Sequence, residues 1–112
     1  MAAAKYNISI DQGSDYSTSI TITESGAAKN LAGYNARAQI RSAIQAETVE
    51  GAFVCTISDP TTGVINISMT NAVSKLLTAR TYVYDLEIFT SGDAFVQRVL
   101  FGAVKVVAEV TR

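Results

Sequence analysis

The 112-residue chain has no histidine, no tryptophan, one cysteine and one proline. Each scarcity removes a class of chemistry. Without histidine there is no imidazole base, no histidine-dependent triad and no histidine-ligated zinc. The single thiol, Cys55, can neither close an internal disulfide nor build a thiolate metal site, and it fits folding in a reducing cytoplasm. Charge is also sparse, with 17% charged residues and a net charge of −1. No basic or acidic block marks a nucleic-acid footprint or a membrane-surface patch. No apolar run approaches membrane-spanning length, and Met1–Lys5 lacks the apolar core of a signal peptide. No phosphate-cradling glycine loop or nucleophile elbow is present. The expectation is a protein without cofactor, nucleic-acid partner or membrane segment. In that setting the sequons Asn7-Ile8-Ser9 and Asn66-Ile67-Ser68 read as plain strand residues.

What is abundant is β-branched. Val and Ile number 21 against 5 Leu, and Ser and Thr add 22 more, a balance that favours strands. The most regular stretch is Thr81–Phe89. There Tyr82, Tyr84, Leu86 and Ile88 share one face, and Asp85 and Glu87 take the other. Ser91-Gly92-Asp93 and a second apolar run follow, which predicts a hairpin. Gly102 interrupts that second run and predicts a bulge or bend. Similar alternation runs through Tyr6–Ile10, Tyr16–Thr23, Tyr34–Arg41, Phe53–Ser58 and Val64–Met69. All five tyrosines fall inward by this count. Asp59-Pro60-Thr61-Thr62-Gly63 is a strong turn signal between two of these runs.

Between the strands, Leu31 is expected under the core, and Ser42–Gly51 reads as a loop or a short helical turn. Val73, Leu76 and Leu77 have helical spacing, predicting one short helix near 71–78 capped by Thr70 or Asn71. The pattern predicts a single all-β domain over 1–112, an antiparallel β-sandwich of about seven or eight strands in two sheets. Residues 1–5 read as a flexible N-terminal arm. With Thr111-Arg112, they are natural segments to order on contact.

Few constellations remain for chemistry. Asp85 and Glu87 are same-face neighbours about 7 Å apart on a strand, the only carboxylate pair worth weighing for hydrolysis. The plainer reading is solvation, or pairing with Arg98 across the hairpin. Asp11 and Asp15 could be two ligands of a calcium loop, but their spacing is not that of an EF-hand, and a plain turn is expected. Cys55 falls inward as a small core residue. Asn35, Arg37, Gln39 and Arg41 form the most polar outward strand face. Two arginines without an aromatic platform are weak for nucleic acid, so this row reads as a solvated face or a subunit-contact face.

Three stretches together resemble a family. These are Asp11-Gln12-Gly13; the row Leu31, Gly33, Tyr34, Ala36, Arg37, Gln39, Ile40 and Arg41; and Tyr82, Tyr84, Asp85, Leu86 and Glu87. With the ending Glu109-Val110-Thr111-Arg112, they resemble small tailed-phage structural proteins with an immunoglobulin-like β-sandwich, similar in pattern to the N-terminal domain of phage baseplate upper proteins. Ala79-Arg80 departs from that pattern, standing where many relatives carry Pro-Gly or Ala-Gly. The immunoglobulin-type disulfide and core tryptophan are absent, so the likeness is architectural. The resemblance implies a non-enzymatic virion protein with no catalytic residues. It would occur in multiple copies on a symmetric particle and dock on capsid, neck or tail subunits. The resemblance leaves the position on the particle open; accessory decoration of the head or neck is the first placement expected, and a baseplate or tail-fibre adaptor the second. A module for a host glycan or receptor is the rival from another class.

Overall fold

The computed structural model describes residues 3–111. Met1, Ala2 and Arg112, which belong to the two expected contact-ordered ends, lie outside them. Ten strands form: β1 (Ala4–Lys5), β2 (Ile8–Asp11), β3 (Tyr16–Thr21), β4 (Thr23–Glu24), β5 (Ala27–Ala28), β6 (Asn35–Arg41), β7 (Gly51–Thr56), β8 (Val64–Met69), β9 (Thr81–Phe89) and β10 (Val96–Val107). One helical turn, α1 (Asn71–Ser74), precedes β9. The all-β class is as the alternation predicts.

The two expected sheets take a different form. Hydrogen bonds run without a break in the order β1-β10-β9-β6-β7-β8-β3, with β2 also on β10, and the sheet curls into a half-barrel. The bend lies in β7. Its first half, Gly51–Phe53, pairs with β6, and its second half, Val54–Thr56, pairs with β8. The Phe53 ring, at the bend, contacts Tyr16 of β3 and Tyr84 of β9 at centroid distances of 6.2 and 5.9 Å. Side chains of both limbs therefore enter one core. Ile65, Ile67 and Met69 come from β8, while Ile40, Leu86, Ile88 and Val104 come from the opposite limb.

The pairing is also not wholly antiparallel. β1 and β2 lie parallel to β10, with Ala4 beside Leu100 and Ile8 beside Val104. Ala4 and Lys5 are thus a paired strand and not part of a free arm. Tyr6, between the two short strands, is 39% exposed and not in the core. Tyr82 and Tyr84 are buried as expected, and Tyr16 and Tyr34 are half-buried.

Local chemistry fixes the connections. In the β7–β8 turn, the Asp59 carboxylate accepts from the Thr61 amide and hydroxyl, and Pro60 opens a single 3-10 turn. Gly63 closes it at φ +71°, where a Cβ would lie 2.8 Å from the Ile22 carbonyl oxygen, so no other residue fits. Leu31 is fully buried, held by its amide on the Pro60 carbonyl. Residues 42–50 form a loop of turns without a helix.

The helix near 71–78 is shorter than predicted. Leu77 is buried, Val73 half-buried, and Leu76 is 83% exposed. Its cap comes from a distant loop: Asp15 accepts from the Asn71 amide at 2.6 Å and from the Asn71 side chain at 2.9 Å. The Thr70 side chain makes no cap bond.

The bulge in β10 falls at Val99, between Arg98 and Leu100, and not at Gly102. It turns the adjacent Val99 and Leu100 both inward, which a regular strand cannot do. Gly102 stays in the ladder opposite Tyr84 and serves another purpose. It lets the Tyr6 backbone approach, so the Tyr84 hydroxyl can donate to the Tyr6 carbonyl.

Candidate subunit-contact face

The outward row of β6 lies beside the outward row of β9, because the register sets Arg37 opposite Glu87 and Gln39 opposite Asp85. Arg37 is engaged on every side. Its Nε donates to Glu87, its two terminal nitrogens donate to the two Asp93 oxygens at 3.2 Å, and its guanidinium lies 4.2 Å from the Phe89 ring centre. Asp93 reaches it because the 91–93 turn holds Gly92 and Asp93 at φ +69° and +57°. Asp93 first, then Glu87, push the Arg37 pKa up. Arg37 thus ties β6 to β9 and to the turn after it.

Solvation or pairing with Arg98 is the expectation for Asp85 and Glu87, and the register places Arg98 opposite Glu87. Its guanidinium instead sits 5.0 Å from the Phe101 ring centre. Arg37 on the other flank takes the carboxylate. The Asp85–Glu87 pair is thereby split, with Glu87 locked in an ion pair and Asp85 without one among the described residues.

Arg41 also turns inward on its own chain. One terminal nitrogen donates to the carbonyls of Ala46 and Glu47 at 2.9 and 2.7 Å, and the other to Gln39 at 3.1 Å. It shapes the 42–50 loop. Of the expected contact row, Asn35 and Gln39 remain exposed, while Arg37 and Arg41 are half-buried and spent on internal bonds.

Beside this row lies a groove of about 330 Å³ on the outer face, crossing β1, β10, β9 and β6. Val83, Phe101 and Ala103 give it apolar surface, and Ile44 of the loop forms a lip. Lys5, Arg41, Arg98 and Asp85 supply its charges. Sequence reasoning passed over this feature. The available signal was three apolar residues at outward positions of β9 and β10, where a wet face should be polar.

Asp85 is the strained charge of the groove. Loss of solvent raises its pKa, Glu87 adds to the rise, and Arg98 and Arg41 oppose it. The folded state therefore holds a proton on Asp85 more readily than the unfolded chain does, and the resulting stability is lost as pH rises through the carboxylate range. Asp85→Asn is expected to raise the melting temperature at neutral pH and to change nothing in acid, where the carboxyl is already protonated. A lower melting temperature at neutral pH would show instead that the carboxylate serves the fold.

The remaining expected sites resolve simply. Asp15 caps α1, and among the described residues no cluster of three potential metal ligands occurs. Cys55 is half-buried, and burial pushes its thiol pKa up to about 11. Among the described residues no helix is long and apolar enough to cross a membrane.

The fold has a phage counterpart. The chain superimposes on a solved structure described as the N-terminal domain of phage TP901-1 ORF48, with a TM-score of 0.54. The match covers 97% of this chain and 99% of that one at 11% sequence identity, a likeness of fold alone. No family model matches the chain, and no curated protein does.

Proposed function

We propose that this chain is a non-enzymatic structural protein of a tailed-phage virion, which docks on other virion subunits. The observation that carries the reading is the end-to-end superposition on a phage N-terminal domain, with nearly all of both chains covered. It agrees with the resemblance to small phage structural proteins found in the residues themselves.

The outer face supports a docking role over a bond-making one. Its arginines are used to brace strands and a loop, and its one carboxylate pair is divided by Arg37. What it offers outward is a braced surface with a groove. Repetition on a symmetric particle would make even weak contacts at such a surface add up to firm attachment. Within the class, accessory decoration of the head or neck and a baseplate or tail-fibre adaptor are equally consistent with that likeness, and we take the adaptor as the placement to test.

Immunogold electron microscopy of purified particles, with antibody raised against this chain, tests the placement. Label at the tail tip is the expected result. Label spread over the head or confined to the neck would overturn the adaptor placement in favour of decoration.

A further inference from the structure

The groove carries more positive than negative charge, with Asp85 facing Arg98 and Arg41 and nothing among the described residues set against Lys5 in an ion pair. Among the described residues neither Lys5 nor Arg98 makes an ion pair. With Arg41 they outnumber the groove's one carboxylate, Asp85, on a chain whose net charge is −1. The floor between them is apolar, and at about 330 Å³ the space lies at the small end of the roughly 300–1,000 Å³ typical of ligand pockets. Its occupant should carry a large apolar side chain with carboxylates close by.

Such a segment exists on the chain itself. The loop at the groove's lip exposes Ile44 at 85% and Val49 at 41%. Glu47 and Glu50 flank Val49, are both exposed, and make no ion pair among the described residues. Arg41 presents this loop by binding its Ala46 and Glu47 carbonyls, which leaves the Glu47 carboxylate unused. Of residues 44–50, Ile44 alone lines the chain's own groove.

We infer that the groove seats the 44–50 loop of a second copy of this chain. Loop and groove share one rim, so two copies facing each other about a two-fold axis place both loops in both grooves, the self-complementary arrangement of an isologous dimer. Glu47 and Glu50 of one copy meet Lys5 and Arg98 of the other, and Val49 and Ile44 cover Val83 and Phe101. Nucleic acid is the weaker occupant. The cations are few, and the Phe101 ring of the floor is covered by Arg98. The inference concerns the isolated chain and stands apart from the virion reading.

Sedimentation equilibrium of the full chain is the test. The wild type is expected to dimerise, more weakly as salt rises. Lys5→Glu with Arg98→Glu, or Glu47→Lys with Glu50→Lys, should each weaken the dimer by about tenfold or more, and a mixture of the two double variants should restore association. Ile44→Asp, at a side chain 85% exposed in the monomer, should weaken it too and keeps the test open if a reversal misfolds. A wild type that stays monomeric up to roughly millimolar concentration overturns the inference. So does a dimer that ignores these substitutions, or reversed variants that fail to recover when mixed although each folds.

Discussion

Gly102→Ala is expected to cost about 3 kcal/mol of folding stability, the upper end for inserting one carbon where packing leaves no room. The alanine Cβ would overlap the Tyr6 carbonyl oxygen and come within 2.8 Å of its carbon. These are backbone atoms and cannot rotate away. They are pinned by the Tyr6 amide on the Phe101 carbonyl at 2.8 Å, by the Asn7 side chain accepting from the Ala103 amide at 3.1 Å, and by the Tyr84 hydroxyl. The substitution must therefore lift the chain between β1 and β2 off β10. Urea denaturation would show the loss of stability. Amide hydrogen exchange would show faster exchange at Tyr6 and Ala103 than in the wild type. Unchanged stability with unchanged protection at both amides would contradict the close approach.

A second large loss is expected from Leu86→Ala, roughly 2–5 kcal/mol. Leu86 is fully buried at the centre of β9, between Ala38 of β6 and Leu100 of β10. Its neighbour across β6 is itself only an alanine, so little can move into the space left behind. The β6 ladder on one side is unbroken, and β10 on the other is paired on both sides of its bulge at Val99, which limits collapse. Since domains of this size are stable by only about 5–15 kcal/mol in total, the variant should be at the edge of unfolding at physiological temperature. Denaturant titration reads this directly. A loss below about 1 kcal/mol would mean that the curled sheet relaxes around the site as few cores do.

The parts of the fold visible in the residues were those with a local cause. Alternation in Thr81–Phe89 revealed the central strand and its buried face. Pro60 and Gly63 marked the turn that joins β7 to β8, and Leu31 was recognised as a core residue in a connection. What escaped had a non-local cause. Alternation is the same for parallel and antiparallel partners, so nothing in Ile8–Asp11 announced that it would lie parallel to β10. β7 reads as one strand, and only its change of partner halfway along turns two expected sheets into one curled sheet. Glu87 had an arginine at the matching position on each flanking strand, Arg37 and Arg98, and the choice between them depended on Asp93 and Phe89 closing around Arg37. Of the contact face, the polar row on β6 was legible. The groove was not, because it is assembled from four strands and a loop.

Gly102 illustrates how a correct signal acquires a wrong cause. A glycine inside a strand marks either a bulge or a close backbone approach. The bulge belonged to Val99, where two successive apolar residues turn inward. The close approach belonged to Gly102, and it fastens the N-terminal segment to the core through Tyr84.

Incorporation of this chain into a virion, as we propose, is read by quantitative mass spectrometry of gradient-purified, denatured particles. The chain is expected at a fixed ratio to the other virion proteins, unchanged by high-salt washing that strips adsorbed material. If the chain is abundant in infected cells but missing from the denatured particles, the structural reading is contradicted and a binding or enzymatic role reopens.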